Sequence, residues 1–212
     1  NTQYDVWPGV RHVSRMVSVQ GVASPSRPAV SAEQTIEEFR RDVPFFAGKP
    51  ITVAPGETAR AKLADRAREK IGRSSGADMS ALSCSESLDL IEYLLFPNMV
   101  PWGGQALPIV YRFRPNGNDP DSHIMEIIFL FAKPADGSHP EPAKLNMLRA
   151  DQDWKDAPEL GSAAMVADQD TDNLRRIQKG LKASRKPGVT LARYQESRIR
   201  HFHETLDRYL AQ

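Results

Sequence analysis

A single cysteine, Cys84, stands among 212 residues, so no internal disulfide can form. Thiolate-rich zinc and iron–sulfur sites, which need several Cys or His ligands, are excluded from this stretch as well. A reducing cytosol fits that usage, and Cys84 reads as a structural residue, because neither a glycine elbow nor a spaced histidine accompanies it as a nucleophile would require. Charge of one sign is equally scarce. The formal net charge is +1, Lys and Arg alternate with Asp and Glu, and no sustained basic stripe is expected to neutralise a phosphate backbone, which argues against nucleic acid as a partner. Long apolar runs are missing too: the longest, Ile127 to Ala132, is strand-sized, against the roughly 20 residues a membrane helix needs. No membrane span is therefore expected. The opening residues Asn1-Thr2-Gln3-Tyr4-Asp5 contain no initiator Met and no targeting segment, which reads as an internal cut in a longer protein.

What is present suits a globular domain with a real core, at 40% hydrophobic and 26% charged residues. Val10 to Val19 mixes β-branched residues with Arg and Ser, as a strand with one polar face does. Ser31-Ala32-Glu33-Gln34 predicts a helix capped by Ser31, with Gln34 reaching back to its backbone, and running to about Val43. A second helix is expected from Glu57 to Ile71, stopped by Gly72 and followed by a flexible link over Arg73 to Gly76. Three strands are expected at Ile91 to Phe96, Leu107 to Arg114 and Ile124 to Ala132. Turn formers from Pro115 to Asp121 make the last two a hairpin. Alternation puts Leu107, Ile109, Tyr111 and Phe113 on one face and Arg112 and Arg114 on the other. After a loose stretch from Pro134 to Glu159, two helices close the chain. One begins near Asp170 to Asn173 and carries Leu174, Ile177 and Leu181. The other spans Leu191 to Leu210, with Ile199, Phe202, Leu206 and Leu210 along one face. The expected class is α+β, an antiparallel sheet covered on one face by helices.

Two groups of residues could carry chemistry. The acidic run Asp168-Gln169-Asp170-Thr171-Asp172-Asn173 offers hard oxygen ligands, but acidic residues also favour the first turn of any helix, so a plain cap is the competing reading. A calcium loop is excluded, since the glycine and distal Glu of that pattern are absent. The histidines are His12, His123, His139, His201 and His203. On a helix His201 and His203 would point about 200° apart, too far to chelate one ion. His123, after the turn, is placed to line a pocket mouth.

Several segments, in order and spacing, resemble the catalytic domain of Rieske non-haem iron aromatic-ring-hydroxylating oxygenases, the α subunit. They are Ile91-Glu92-Tyr93 with Phe96-Pro97-Asn98, the hairpin Tyr111-Arg112-Phe113-Arg114-Pro115 with Met125-Glu126-Ile127, the run Asp170-Thr171-Asp172-Asn173 with Gln178 and Gly180, and the closing segment from Gln195-Glu196-Ser197 through His201-Phe202-His203 to Tyr209-Leu210. The resemblance covers most of the chain and implies a helix-grip fold (START-like, SRPBCC), an antiparallel sheet wrapped around a long C-terminal helix, here truncated at its N-terminus. Residues 1–212 are then the C-terminal part of the catalytic domain, with the Rieske domain absent.

The resemblance further implies that Asp170 is the carboxylate of a two-histidine, one-carboxylate triad holding mononuclear Fe2+. Both partner histidines are missing from this chain, and His12 has no companion at the required spacing. A [2Fe–2S] cluster in the missing domain, NADH through a reductase, a ferredoxin or reductase partner, dioxygen, and a homotrimer of α subunits follow from the same resemblance. So does a small aromatic or apolar substrate, hydroxylated or demethylated, whose cavity would be lined by Asn98, Met99, Tyr111, Met125 and Phe129, residues that plain core packing would equally explain. The fragment alone is expected to be inactive, and the expected location is cytoplasmic. A non-catalytic helix-grip carrier module is the alternative; it would lack the Asp170 motif.

Overall fold

The computed structural model describes residues 1–26, 28–42, 49–130, 133–134, 136–138, 141–142, 144–161 and 163–212. It divides into two compact units, Asn1–His139 with Leu191–Gln212, and Pro140–Thr190.

The larger unit is built on a six-stranded antiparallel sheet in which every strand neighbours the next in sequence: β1 (Thr2–Val6), β2 (Val13–Ser18), β3 (Leu90–Leu95), β4 (Met99–Gly103), β5 (Ile109–Asn116) and β6 (Asp119–Phe129). With its helices this is the α+β class, consistent with the helix-grip fold. The hairpin forms as its turn formers dictate. Asn116 pairs with Asp119 across Gly117 and Asn118, and Gly117 takes the left-handed φ of 60° that such a tight connection needs. Strands β1 and β4 are additions that the sequence patterns did not signal, and residues 131–132 of the expected third strand lie outside the described residues.

Between β2 and β3 the chain makes a helical excursion: α1 (Ala32–Asp42), α2 (Ala59–Ser75) and the short α3 (Cys84–Leu88). Ser31 caps α1, accepting from the Gln34 N–H at 3.1 Å, but the Gln34 amide bonds Glu38 rather than returning to Ser31, so the reciprocal half of the box is absent. Its expected end at Val43 lies outside the described residues. Helix α2 runs past Gly72 to a stop at Gly76, whose φ of 68° is left-handed and whose N–H closes onto the Gly72 carbonyl. The expected flexible link is therefore the last helical turn. Gly72 is kept small for another reason: a Cβ there would meet the Ala77 carbonyl oxygen at 3.1 Å.

Leu63, Ala64, Ala67 and Ile71 fall at helical spacing on α2 and are buried with Ile36, Met79 and Leu88, so this core lies among the helices rather than on the sheet. Cys84 packs partly buried against it. Arg60, in the first turn of α2, and Asp89, at the end of α3, tie the excursion to the start of β3.

The C-terminal helix α5 spans Ser197–Leu210, so residues 191–196 of the expected longer helix are not helical. It lies against β1 and β2 with a face made of Arg198, His201, Phe202, Thr205 and Tyr209. Ile199 and Leu210 of the apolar stripe read from the sequence are 42% and 76% exposed, whereas Leu206 is half-buried and Phe202 joins the docked face. Thr205 is buried and donates to the Arg11 carbonyl at 2.9 Å, and Arg198 reaches Glu92 on β3 at 2.7 Å. The attachment is thus as much hydrogen-bonded as apolar.

In the smaller unit two short 3-10 turns, Trp154–Asp156 and Pro158–Leu160, precede α4 (Ala163–Ala183). No helix among the described residues is long and apolar enough to cross a membrane.

Candidate functional site

Register decides which side chains share the sheet face on β4 to β6. Tyr111 pairs with Ile127, Phe113 with Met125 and Ile109 with Phe129, so Tyr111, Met125 and Phe129 project to one side. Val100, opposite Tyr111, projects the same way, and so does Trp102, whose indole meets the Tyr111 ring edge-on at 6.2 Å. These aromatic and aliphatic groups, apart from buried Val100 and Ile109, are half-buried. The Trp102 indole N–H is buried and has no hydrogen-bond partner among the described residues. Such a face, apolar with one donor, suits a small apolar molecule.

The other two cavity candidates stand elsewhere. Asn98 sits in the turn between β3 and β4, where its carbonyl accepts the Phe113 N–H at 2.9 Å. Met99 pairs with Leu95 and Arg112, which turns its side chain to the opposite sheet face, where it is 39% exposed. On that opposite face Arg112 and Arg114 both grip Glu126, the latter at 2.9 Å. Hydrogen bonds from Arg112 first, then from Arg114, hold the Glu126 carboxyl down at about 2. This is the arginine face that alternation assigned away from the apolar one.

The acidic run is not a helix start. Helix α4 begins at Ala163, well before Asp168, so the cap reading falls, and Ala163, Ala164, Met165 and Ala167, strong helix formers, are the signal that placed the start earlier. The cap-like duties are nonetheless shared out. Asp168 accepts from the Trp154 N–H at 2.5 Å, Thr171 accepts from the Trp154 indole at 3.2 Å, and Asp172 pairs with Arg176 at 2.7 Å. Asp170 is exposed. At about 100° per residue it lies on the same side of α4 as Val166, Leu174, Ile177 and Leu181, each roughly half exposed. A carboxylate is thus set within an apolar stripe.

Among the described residues no three His, Cys, Asp or Glu side chains converge as a metal site would require. His12 lies 2.8 Å from the Tyr209 hydroxyl and edge-on to its ring, His201 bonds the Val10 carbonyl at 2.9 Å, His203 is exposed, and His123 lies beside Phe113 on β6. His139 lies outside the described residues. The donor set for a complete iron centre is therefore not met by the described residues. Sequence reasoning missed Trp102, whose strand β4 is short and interrupted by Pro101 and Gly103, leaving no alternation to read.

A family model described as ring hydroxylating alpha subunit (catalytic domain) matches residues 21–212. No curated protein and no solved structure matches.

Proposed function

The chain belongs to the ring-hydroxylating alpha subunit catalytic-domain family, and from that premise we propose that it is the C-terminal part of the catalytic domain of a Rieske-type oxygenase. The complete protein uses mononuclear ferrous iron and dioxygen to hydroxylate or demethylate a small aromatic or apolar molecule. The observation that carries this reading is the family match over residues 21–212. The apolar sheet face supports it.

In this account Asp170 supplies one iron ligand, an anionic oxygen favouring the higher oxidation states of the metal, and the two histidines come from outside these residues. The chain by itself is then inactive. Tyr111, Met125 and Phe129 hold the substrate through apolar contact and exclude water, with Asn98 at the rim. Met99, facing the other way in the sheet, contributes no contact. Electrons come from NADH by way of a reductase or a ferredoxin and the [2Fe–2S] cluster of a Rieske domain. The α subunits assemble as a homotrimer in the cytoplasm.

The test is product chemistry. The complete gene product, supplied with NADH, reductase and ferredoxin, is incubated with a panel of small aromatic compounds under isotopically labelled dioxygen. Label in a hydroxylated product, or in formaldehyde released by demethylation, is expected. NADH-dependent turnover with no label in any product, or no turnover with any member of the panel, would contradict the oxygenase reading.

A further inference from the structure

Among the described residues two buried polar side-chain groups have no hydrogen-bond partner, the Trp102 indole N–H and the Ser197 hydroxyl. They are not equivalent. A serine hydroxyl hydrogen turns about its bond to find an acceptor, whereas an indole nitrogen is a donor only and its direction is fixed by the ring. Buried tryptophan nitrogens are ordinarily partnered, because an unpaired buried donor opposes folding, so the exception calls for a use.

The indole is held where it stands. Just after it, Gly103 packs so closely on β3 that a Cβ there would meet the Tyr93 ring at 3.1 Å and the Ile91 side chain at 3.5 Å. Gly104, at a φ of 74°, lies against α3, where a Cβ would meet the Glu86 carbonyl oxygen at 2.8 Å, and the Gln105 N–H donates to that same oxygen at 2.7 Å. The backbone beyond Trp102 is thus clamped to β3 and α3, while the Tyr111 ring meets the indole edge-on from β5. Glu92 stands opposite Trp102 in the β3–β4 ladder, yet its carboxylate accepts from the Arg198 guanidinium at 2.7 Å and not from the indole.

The surroundings select the acceptor. Helix α5 occupies this sheet face at β1 and β2 and reaches Glu92 on β3 through Arg198. Beyond Glu92, on β4 to β6, the face is carried by Trp102 with Tyr111, Met125 and Phe129. Its charges cancel: Arg198 is balanced by Glu92, and the Arg112, Arg114 and Glu126 group lies on the opposite face. A carboxylate brought to the indole would find no uncompensated cation, so an uncharged acceptor fits it better.

We propose that Trp102 donates a hydrogen bond to an uncharged oxygen, carbonyl or ether, on the bound aromatic molecule, and that the site thereby selects ring compounds carrying such an oxygen over plain hydrocarbons. The inference rests on the reading of this face as the substrate site of an oxygenase. Tyr111, Met125 and Phe129 take the ring by apolar contact, and the indole N–H fixes which end of the molecule lies at β4. A site with a fixed buried donor binds the analogue lacking the acceptor less well, since the donor then stays unpaired.

The experiment measures binding to the complete gene product by calorimetry, with two compounds of nearly the same shape, acetophenone and α-methylstyrene, which differ in carbonyl oxygen against methylene. Wild type is compared with Trp102→Phe and with a variant carrying 3-benzothienylalanine at position 102, which keeps the indole shape and replaces N–H by sulfur. Each variant is checked for an unchanged thermal melt. The ratio of the two Kd values cancels the general apolar contribution, and it should shift about tenfold against acetophenone in both variants, with α-methylstyrene bound as in wild type. A ratio that is the same in wild type and in the benzothienylalanine variant overturns the proposal, as does wild-type protein that binds neither compound. Benzoate bound more tightly than acetophenone, and equally in wild type and variants, assigns recognition to charge and overturns it too. The two readings fail separately. Discrimination that depends on Trp102, with no turnover of any bound compound in the reconstituted system, removes the oxygenase reading and keeps the donor; labelled product with an unaltered ratio removes the donor alone.

Discussion

Arg60 and Asp89 meet through two parallel hydrogen bonds, Nη1 to Oδ1 at 2.7 Å and Nη2 to Oδ2 at 2.9 Å, with the carboxylate only 3% exposed. Asp89 also accepts from the Ser85 hydroxyl at 2.6 Å and the Gln20 N–H at 3.0 Å, so one carboxylate joins the end of β2, the first turn of α2, α3 and the start of β3. Burial by itself would raise this carboxyl, but the hydrogen bonds from Arg60, Ser85 and Gln20 together outweigh it and hold the group below its ordinary value.

The sign of the resulting pH dependence follows. A lowered folded-state value means that the charged carboxylate stabilises the fold, fully so above the ordinary aspartate value of about 4, and that the contribution is lost as pH falls from there through the lowered value. Chemical denaturation from pH 7 down to pH 2 should show a decline that is smaller in Asp89→Asn, already weaker at neutral pH. Arg60→Ala, which strands a buried charge, should cost roughly 3 kcal/mol at pH 7.

The hydroxyl of Thr205, in a site only 2% exposed, shares its proton between the Arg11 carbonyl at 2.9 Å, which anchors α5, and the His201 carbonyl of its own helix at 2.8 Å. Thr205→Val keeps the shape and removes the donor, leaving the Arg11 carbonyl without its partner. A loss of about 1–2 kcal/mol is expected in urea unfolding. Thr205→Ser, which retains the hydroxyl, should lose less.

Two glycines of similar appearance in the sequence should respond in opposite directions. Gly76 ends α2 at a φ of 68°, where a Cβ is strained, so Gly76→Ala should destabilise by about 1 kcal/mol. Gly180 sits inside α4 with nothing within 4 Å of a built Cβ, so Gly180→Ala should stabilise by up to about 1 kcal/mol. Thermal melts of the two variants give the comparison.

Phe129 shares the apolar sheet face with Tyr111 and Met125. Phe129→Ala in the complete protein should change relative rates across a panel of aromatic substrates, with bulkier ones gaining. Relative rates that stay fixed while stability falls would place the ring in plain core.

The local signals that were legible in the sequence are those that depend on few residues: the β5–β6 hairpin from its turn formers, the Ser31 cap, the alternation that separates Tyr111 from Arg112. Signals depending on partners far along the chain were not. Met99 looks like a neighbour of Asn98 in a common pocket wall, yet its pairing with Arg112 sends it to the other face. Of the stripe Ile199, Phe202, Leu206 and Leu210 that looks like the docking face of α5, Ile199 and Leu210 are exposed, and the face used adds Arg198, His201 and Thr205, whose acceptors on Glu92, Val10 and Arg11 lie over a hundred residues away. Strand β1 is invisible alone, because Thr2 to Val6 has too little apolar content, and it exists through pairing with β2.

The central claim is that Asp170, a carboxylate within the apolar stripe of α4, is a ligand to mononuclear iron. The direct measurement is the iron content of the complete gene product and of its Asp170→Ala variant, with the [2Fe–2S] signal of each sample as an internal count. The account predicts that the variant loses about one iron per chain while its cluster signal is unchanged. Equal mononuclear iron in both proteins, or none in either, would contradict it.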